Sequence, residues 1–488
     1  MASTCLGLDN RLARTPQMGW NNWNSLGCDV SQQLLVDTAD LLIRLGLRDL
    51  GYEYVLLDDC WSDGRDENGR IKVDTRRFPQ GMKWVAEQLH NAGLLYGMYS
   101  SAGHLTCARY EGSLDYEKAD AESWASWGVD YLKYDNCYSA GRHGSPEASF
   151  NRYKTMGDAL KATGRNILYS LCNWGEDYVH YWDTSIANSW RISGDIYDSF
   201  TRPDALCSCT EVDPASPWCV APGSRCSVLT ILNRVAPYAD RGQPGGWHDL
   251  DMLEVGNGGM TDEEYKAHFA LWAALKSPLI IGADIRHLSP SALTILNNPA
   301  IIAINQDPVG RPATRIWQDV NVPKDRFGVG EIQIWSGPLS GDDQLLILLN
   351  AADKDLTMVA ELEDIFAHDG PGGSAPQNAE AWDVHDLWSS RMTDSSAAQI
   401  LQIADQANES QSAEKLSGLL GDWYNATILS YKEGLKNRDP RLLGQKVSEI
   451  KSYGALKVKV PRHSAKVYRL ISQAENPSRR YKTTKDEL

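Results

Sequence analysis

Residues 118–138 read KADAESWASWGVDYLKYDNCY. The first half, KADAESWASWG (118–128), is a helix pattern that stops at Gly128, a residue well suited to ending one. The second, VDYLKYDN (129–136), is a short, largely apolar strand. A helix, a glycine and a strand in succession make part of a βα repeat, and the same order recurs on both sides. Upstream, PQMGWNNW (16–23), YEYVLLDD (52–59) and LLYGMYS (94–100) read as strands. GMKWVAEQLHNAG (81–93) is a helix closed by Gly93. Downstream, NILYSLCNW (166–174), NSWRISGD (188–195), GGWHDLDML (245–253) and SPLIIGAD (277–284) complete eight strand candidates. Eight βα units over about 300 residues predict an α/β fold, a parallel (β/α)8 TIM barrel spanning 8–311.

The quoted strand also raises a chemical question. Lys133 and Asp135 fall on one face of it, and charges cost several kcal/mol to bury unless they are paired or used. Barrels of this kind work at the C-terminal ends of their strands. There the sequence sets Trp20, then Asp58 and Asp59, then Tyr99, then Lys133 and Asp135. Cys172 and Trp174 follow the fifth strand, Arg191 and Asp195 the sixth, Asp249 and Asp251 the seventh. One aspartate at a strand end is as readily a helix cap, but the whole set has no such explanation.

Three chemistries compete for it. Asp58, Asp59, His248, Asp249 and Asp251 form an oxygen-rich set for a divalent ion, which Lys133 and Arg191 would repel. A Schiff base on Lys133 needs a depressed lysine pKa, whereas Asp135 beside it holds the ammonium charged. Glycoside cleavage by two carboxylates uses most of the set. Asp135 and Asp195 would face each other across the mouth, Lys133 and Arg191 would hold sugar hydroxyls, and Asp58 and Asp59 would accept from vicinal ones. Trp20 and Tyr99 would offer apolar walls. No metal and no cofactor is expected.

Composition agrees with a neutral, polar substrate. The 488-residue chain carries a net charge of −16, which argues against nucleic acid and anionic membranes as partners. Tryptophan (17) and tyrosine (21) far outnumber phenylalanine (6), and rings with one apolar face and a polar handle suit carbohydrate. No apolar run approaches the length needed to cross a membrane.

Beyond Asn305-Gln306-Asp307-Pro308 the pattern changes. IQIWSGP, QLLILLNAA, LTMVAEL, AWDVHDLW, ALKVKVP and AKVYRLI are strand-length runs without barrel helices, predicting a C-terminal antiparallel β-sandwich domain over 312–473. A polar, helical insertion is expected at about 394–447, and a disordered tail at 474–488. Sequons stand at Asn408 and Asn425. Ten cysteines point to an oxidising compartment. Cys207, Cys209, Cys219 and Cys226 crowd one loop, as two nested disulfides rather than a zinc knot, since the C-x2-C pairs are missing. The opening MASTCLGLDNRLARTP lacks a hydrophobic leader, while Lys485-Asp486-Glu487-Leu488 matches an endoplasmic-reticulum retrieval address. A secretory-pathway protein, secreted or held in that lumen, with a replaced leader or designed termini, is the expectation. Cys5 has no assigned partner.

The runs LDNRLARTPQMGWNNWNS, LDDCWS, YLKYDNC, SLCNWG, SWRISGD, GGWHDLDML and INQDPVG, in this order, resemble glycoside hydrolase family 27, and its fungal and plant α-galactosidases most. The resemblance implies a retaining hydrolase that frees terminal α-linked galactose from small or oligosaccharide α-galactosides: melibiose, raffinose-type sugars, galactomannan side chains. It places the nucleophile on Asp135 and the acid/base on Asp195. It puts Asp58 and Asp59 on the 4- and 6-hydroxyls and Lys133 and Arg191 on O2, O3 and O4. Trp20, Tyr99, Asp251 and Met252 would complete the pocket. It also pairs Cys28 with Cys60 and Cys107 with Cys137, and leaves Cys172 a free thiol. Cys172 and Trp174 would crowd an acetamido group at the 2-position. Within the family, α-N-acetylgalactosaminidase and β-L-arabinopyranosidase remain alternatives. A galactose-binding lectin on a dead barrel is the reading from another class, and the presence of both Asp135 and Asp195 speaks against it.

Overall fold

A computed structural model describes residues 10–201, 225–326, 328–367, 375–406, 415–416 and 418–473. Expectations for Cys5, Cys207, Cys209, Cys219, the Asn408 sequon and the tail after Gln473, with Lys485 to Leu488, lie outside the described residues.

Eight parallel strands form one sheet: β1 (Met18–Asn21), β2 (Tyr54–Leu56), β3 (Leu95–Ser101), β4 (Tyr131–Asp135), β5 (Leu168–Cys172), β6 (Ser189–Arg191), β7 (Trp247–Asp249) and β8 (Leu279–Ile281). Each pairs with the next in chain order as far as β7, and β8 returns to β1. Leu253, just past β7, bridges in parallel to Ile281 of β8, which closes the ring. All eight predicted strands are present.

Alternation along each strand sorts the side chains. Tyr54, Leu56, Tyr131, Leu168, Met252 and Ile280 fill the barrel, while neighbours such as Val55, Leu132 and Leu171 join the shell of helices outside. The filling is tight: a Cβ added at Gly97 in β3 would stand 2.1 Å from the Leu56 side chain, so only glycine fits that rung. The interior is a packed core, not a pore, and anything bound must sit above it.

The second unit is antiparallel. β9 (Thr314–Asp319), β10 (Ile332–Leu339), β11 (Asp343–Asn350), β13 (Trp382–Asp386), β14 (Gln445–Ile450) and β16 (Ser464–Ser472) make a six-stranded sheet in the order β9-β10-β11-β16-β13-β14. β12 (Leu356–Glu361) and β15 (Ala455–Val460) pair separately. Leu346 and Leu348 of β11 face that pair within one core, whereas Leu345, Ile347 and Leu349 face the barrel. Burial on both faces explains the unbroken LLILL run.

Two strands differ from expectation. β9 is only half buried, and β14 occupies the end of the predicted insertion, with five of its six residues exposed. Both are edge strands, whose polar residues hide the period that apolar ones reveal. The insertion otherwise holds helices at Asp394–Asp405, Tyr431–Lys436 and Pro440–Leu443. In the Asn425 sequon the amide nitrogen donates to Asp49 Oδ2 of the barrel at 2.9 Å.

Candidate active site

The inward parity of the strands delivers Tyr99, Lys133, Asp135, Cys172 and Arg191 to one mouth, and hydrogen bonds tie them together. Tyr99 donates to Asp135 Oδ2 at 2.8 Å. Lys133 donates to Asp58 Oδ2 at 2.8 Å, which also accepts from Asn21 at 2.9 Å. The Lys133 ammonium lies 5.4 Å from the centre of the Tyr99 ring. Arg191 spans Asp251 at 2.9 Å and Asp195 at 3.1 Å, and its other nitrogen reaches Cys172 Sγ at 3.6 Å. Lys133 and Asp135 therefore share a strand face because each belongs to one buried charge network.

The two proposed catalytic carboxylates sit in unlike surroundings. Asp135 is 6% exposed, and burial pushes its carboxyl up to about 6, with Lys133 pulling it down and Asp195 adding to the rise. Its Oδ1 accepts the Asn136 N–H at 2.8 Å. Asn136 is held by Arg152 at 2.6 Å, and Tyr153 donates to the Asp135 carbonyl at 3.2 Å. The Asp195 side chain is 38% exposed. One rigid, buried carboxylate and one solvated partner give the asymmetry that divides two roles between two acids.

Asp58 and Asp59 are buried. Asp59 accepts the Ala108 N–H at 2.8 Å and that of Cys60 at 2.7 Å; burial raises its pKa against these bonds. Asp251, with φ at 75°, accepts the Ile196 N–H at 2.8 Å and so ties the Asp195 segment to the end of β7. Asp249 accepts the Asp251 N–H at 2.8 Å, and burial pushes it up to about 6.

His248 does not join them. Its Nδ1 accepts the Trp190 indole N–H at 2.8 Å and its Nε2 faces the Tyr238 carbonyl at 3.0 Å. An indole only donates and a carbonyl only accepts, so the ring is neutral with the proton on Nε2. Both nitrogens are used outside the mouth.

Trp20 is a correction. Gly19 pairs in register with Tyr54 and Ile280, both interior residues, so Gly19 faces inward and Trp20 outward. Trp20 is 1% exposed in the shell between strands and helices, with its indole N–H on the Ala283 carbonyl at 2.8 Å. The tryptophan against the barrel filling is Trp23, partly buried and packed on the cluster that contains Met252. Counting by twos from the glycine would have found it. Met252 belongs to the filling itself rather than to an open wall. Trp174 lines a groove beside the mouth, with Asn136, Tyr138 and Glu176.

Disulfides join Cys28 to Cys60 and Cys107 to Cys137, and Cys172 is a buried free thiol. Each bridge links loops at the ends of adjacent strands, β1 with β2 and β3 with β4. The Cys107 and Cys137 sulfurs and an Asp135 oxygen lie within 4.8 Å of one another. Cys226 is also disulfide-bonded.

Comparison with known proteins decides the family. The family described as "Alpha galactosidase A" matches residues 15–216 and 224–307, and "Alpha galactosidase C-terminal beta sandwich domain" matches 329–406. The α-galactosidase of Saccharomyces pastorianus is 52% identical over 461 residues, covering 94% of each chain. The chain belongs to the α-galactosidase family. A solved α-galactosidase structure from Saccharomyces cerevisiae, 49% identical, superposes with a TM-score of 0.89 over 95% of this chain and 99% of its own. A second from that yeast, obtained with raffinose, is 48% identical and gives 0.89 over 96% and 100%. Family membership bears out the resemblance carried by the barrel motifs, and the two predicted disulfide pairings stand with it.

Proposed function

We propose that this α-galactosidase family member releases terminal α-linked galactose from α-galactosides, melibiose and raffinose-type oligosaccharides among them, with retention of configuration. The observation that carries the reading is the pairing of buried Asp135 with solvated Asp195 around Arg191. Asp135 attacks the anomeric carbon while Asp195 protonates the departing oxygen; Asp195 then activates water to free the sugar. Lys133, Asp58, Asp59 and Arg191 bind the ring hydroxyls, Tyr99 orients Asp135, and Trp23 offers the apolar wall first assigned to Trp20. Cys172 lies where a 2-substituent would sit. The catalytic unit is read as 8–311 and the sandwich, 312–473, as its accessory.

Three aryl glycosides test this: p-nitrophenyl α-galactoside, α-N-acetylgalactosaminide and β-L-arabinopyranoside. The galactoside should be preferred strongly, and Asp135→Ala should abolish its turnover. Preference for either other sugar, or substantial activity in Asp135→Ala, would overturn the assignment. The disulfides fit a secretory-pathway location, whether secreted or lumenal. No helix among the described residues is long and apolar enough to cross a membrane.

A further inference from the structure

Beside the mouth, between the segments after β4 and β5, runs a groove of about 250 Å³ lined by Asn136 to Gly141, His143, Trp174 and Glu176. It is held open by bonds between its two sides. Asn136 donates to Glu176 Oε2 at 2.8 Å, and Asp177 accepts the Gly144 N–H at 3.0 Å and the Ser149 hydroxyl. Backbone strain gathers here. Tyr138, Ala140, Trp174, Asp177 and Tyr178 all have φ between 51° and 61°, a conformation that costs such residues about 1–3 kcal/mol and that concentrates at functional sites. Gly175 is obligatory, since a Cβ there would lie 2.2 Å from the Ile192 carbonyl.

The lining has the chemistry of a sugar site. Trp174 and Tyr138 supply aromatic faces, and Tyr138, 40% exposed, is steadied by Arg109, which donates to its hydroxyl at 3.1 Å. Ser139 and His143 add polar edges. Glu176 Oε1 is buried with no hydrogen-bond partner, an expensive state that a ligand hydroxyl relieves. The volume falls below the ~300–1,000 Å³ of pockets for drug-sized ligands and suits one ring. Position names the ring. The barrel below the mouth is filled, so the rest of a galactoside must leave outward, and the groove begins one residue after Asp135.

We infer that this groove is the subsite for the first hexose of the leaving group. The inference rests on the galactosidase reading and extends it from the galactose to the sugar attached to it.

The test compares α-galactosyl fluoride, whose leaving group is a single atom, with melibiose and raffinose. In Tyr138→Ala, kcat/KM should fall about tenfold on both oligosaccharides and stay within twofold on the fluoride. Glu176→Gln keeps the Asn136 contact and should raise KM for the oligosaccharides alone. Fluoride turnover doubles as the folding control. Equal losses on all three substrates, or no loss on any, would sink the subsite. Failure of the wild-type protein to turn over the fluoride would instead remove the galactosidase reading beneath it.

Discussion

Lys133 shows how much one side chain can carry. It pairs with Asp58, approaches the Tyr99 ring, and its charge holds down the carboxyl of Asp135. Lys133→Met removes that cation, so the Asp135 pKa should rise from about 6 and the acid limb of kcat/KM should move to higher pH. The rate at the optimum should drop on the order of a hundredfold, the scale for losing one charge-stabilising donor. A pH profile of kcat/KM against an activated galactoside checks both. An unmoved acid limb would show that Asp135 does not set it. The same network shows which residues could be read without a fold. Asp58, Tyr99, Lys133, Asp135 and Arg191 announce themselves by charge or position at strand ends. Asn136, Arg152 and Tyr153, which hold Asp135 from behind, give no such sign, because their role depends on contacts between β4 and the helix Pro146–Ala162.

Among the elements, the helix Asp262–Ala274 joins the two units. Nine of its thirteen residues are buried, so it has no polar face to stripe the sequence. Its start is nonetheless legible: Thr261 caps the backbone N–H of Glu264, and Glu264 returns a bond to Thr261. Glu264 also meets His463 of the sandwich at 2.7 Å. Thr261→Ala should cost about 1 kcal/mol of stability while leaving kcat/KM unchanged, since neither residue faces the mouth. Denaturant unfolding read beside activity separates the two effects. The edge strands β9 and β14 make the opposite case. Their partners β10 and β13 read clearly as strands, yet their own exposed residues carry no pattern that distinguishes a strand from a loop.

For the molecule as a whole, buried titratable groups set a preferred pH. Glu254 is pushed up to about 8, Glu176 to about 7, and Asp135 and Asp249 to about 6, each chiefly by burial. A carboxyl whose folded pKa is raised stabilises fully below its unfolded value, and that contribution is lost as pH rises through the folded one. His180, His248 and His268 are pushed down by burial, to about 4, 3 and 3; they destabilise as pH falls below about 6.5. The two sets nearly offset each other between about 4.5 and 6. Above 6.5 only Glu254 and Glu176 still titrate among them, so the melting temperature should decline from pH 6.5 to 8. Glu254, held by Asn24 and Asn257, should account for up to about 1.4 kcal/mol per pH unit, and Glu254→Gln should flatten the decline. Calorimetry across that range decides it, and a melting temperature that climbs would refute it.

The sequence by itself determined the barrel, the sandwich, the carboxylates and the family, because each is written in local periods and in ordered motifs. The tertiary structure decided which tryptophan stands at the mouth, since facing depends on the register between β1 and its neighbours. It also decided where the groove beside Asp135 lies, since its sides come from segments more than thirty residues apart. Titration was likewise settled there: burial raises or lowers these pKa values, and burial is a property of the packed chain.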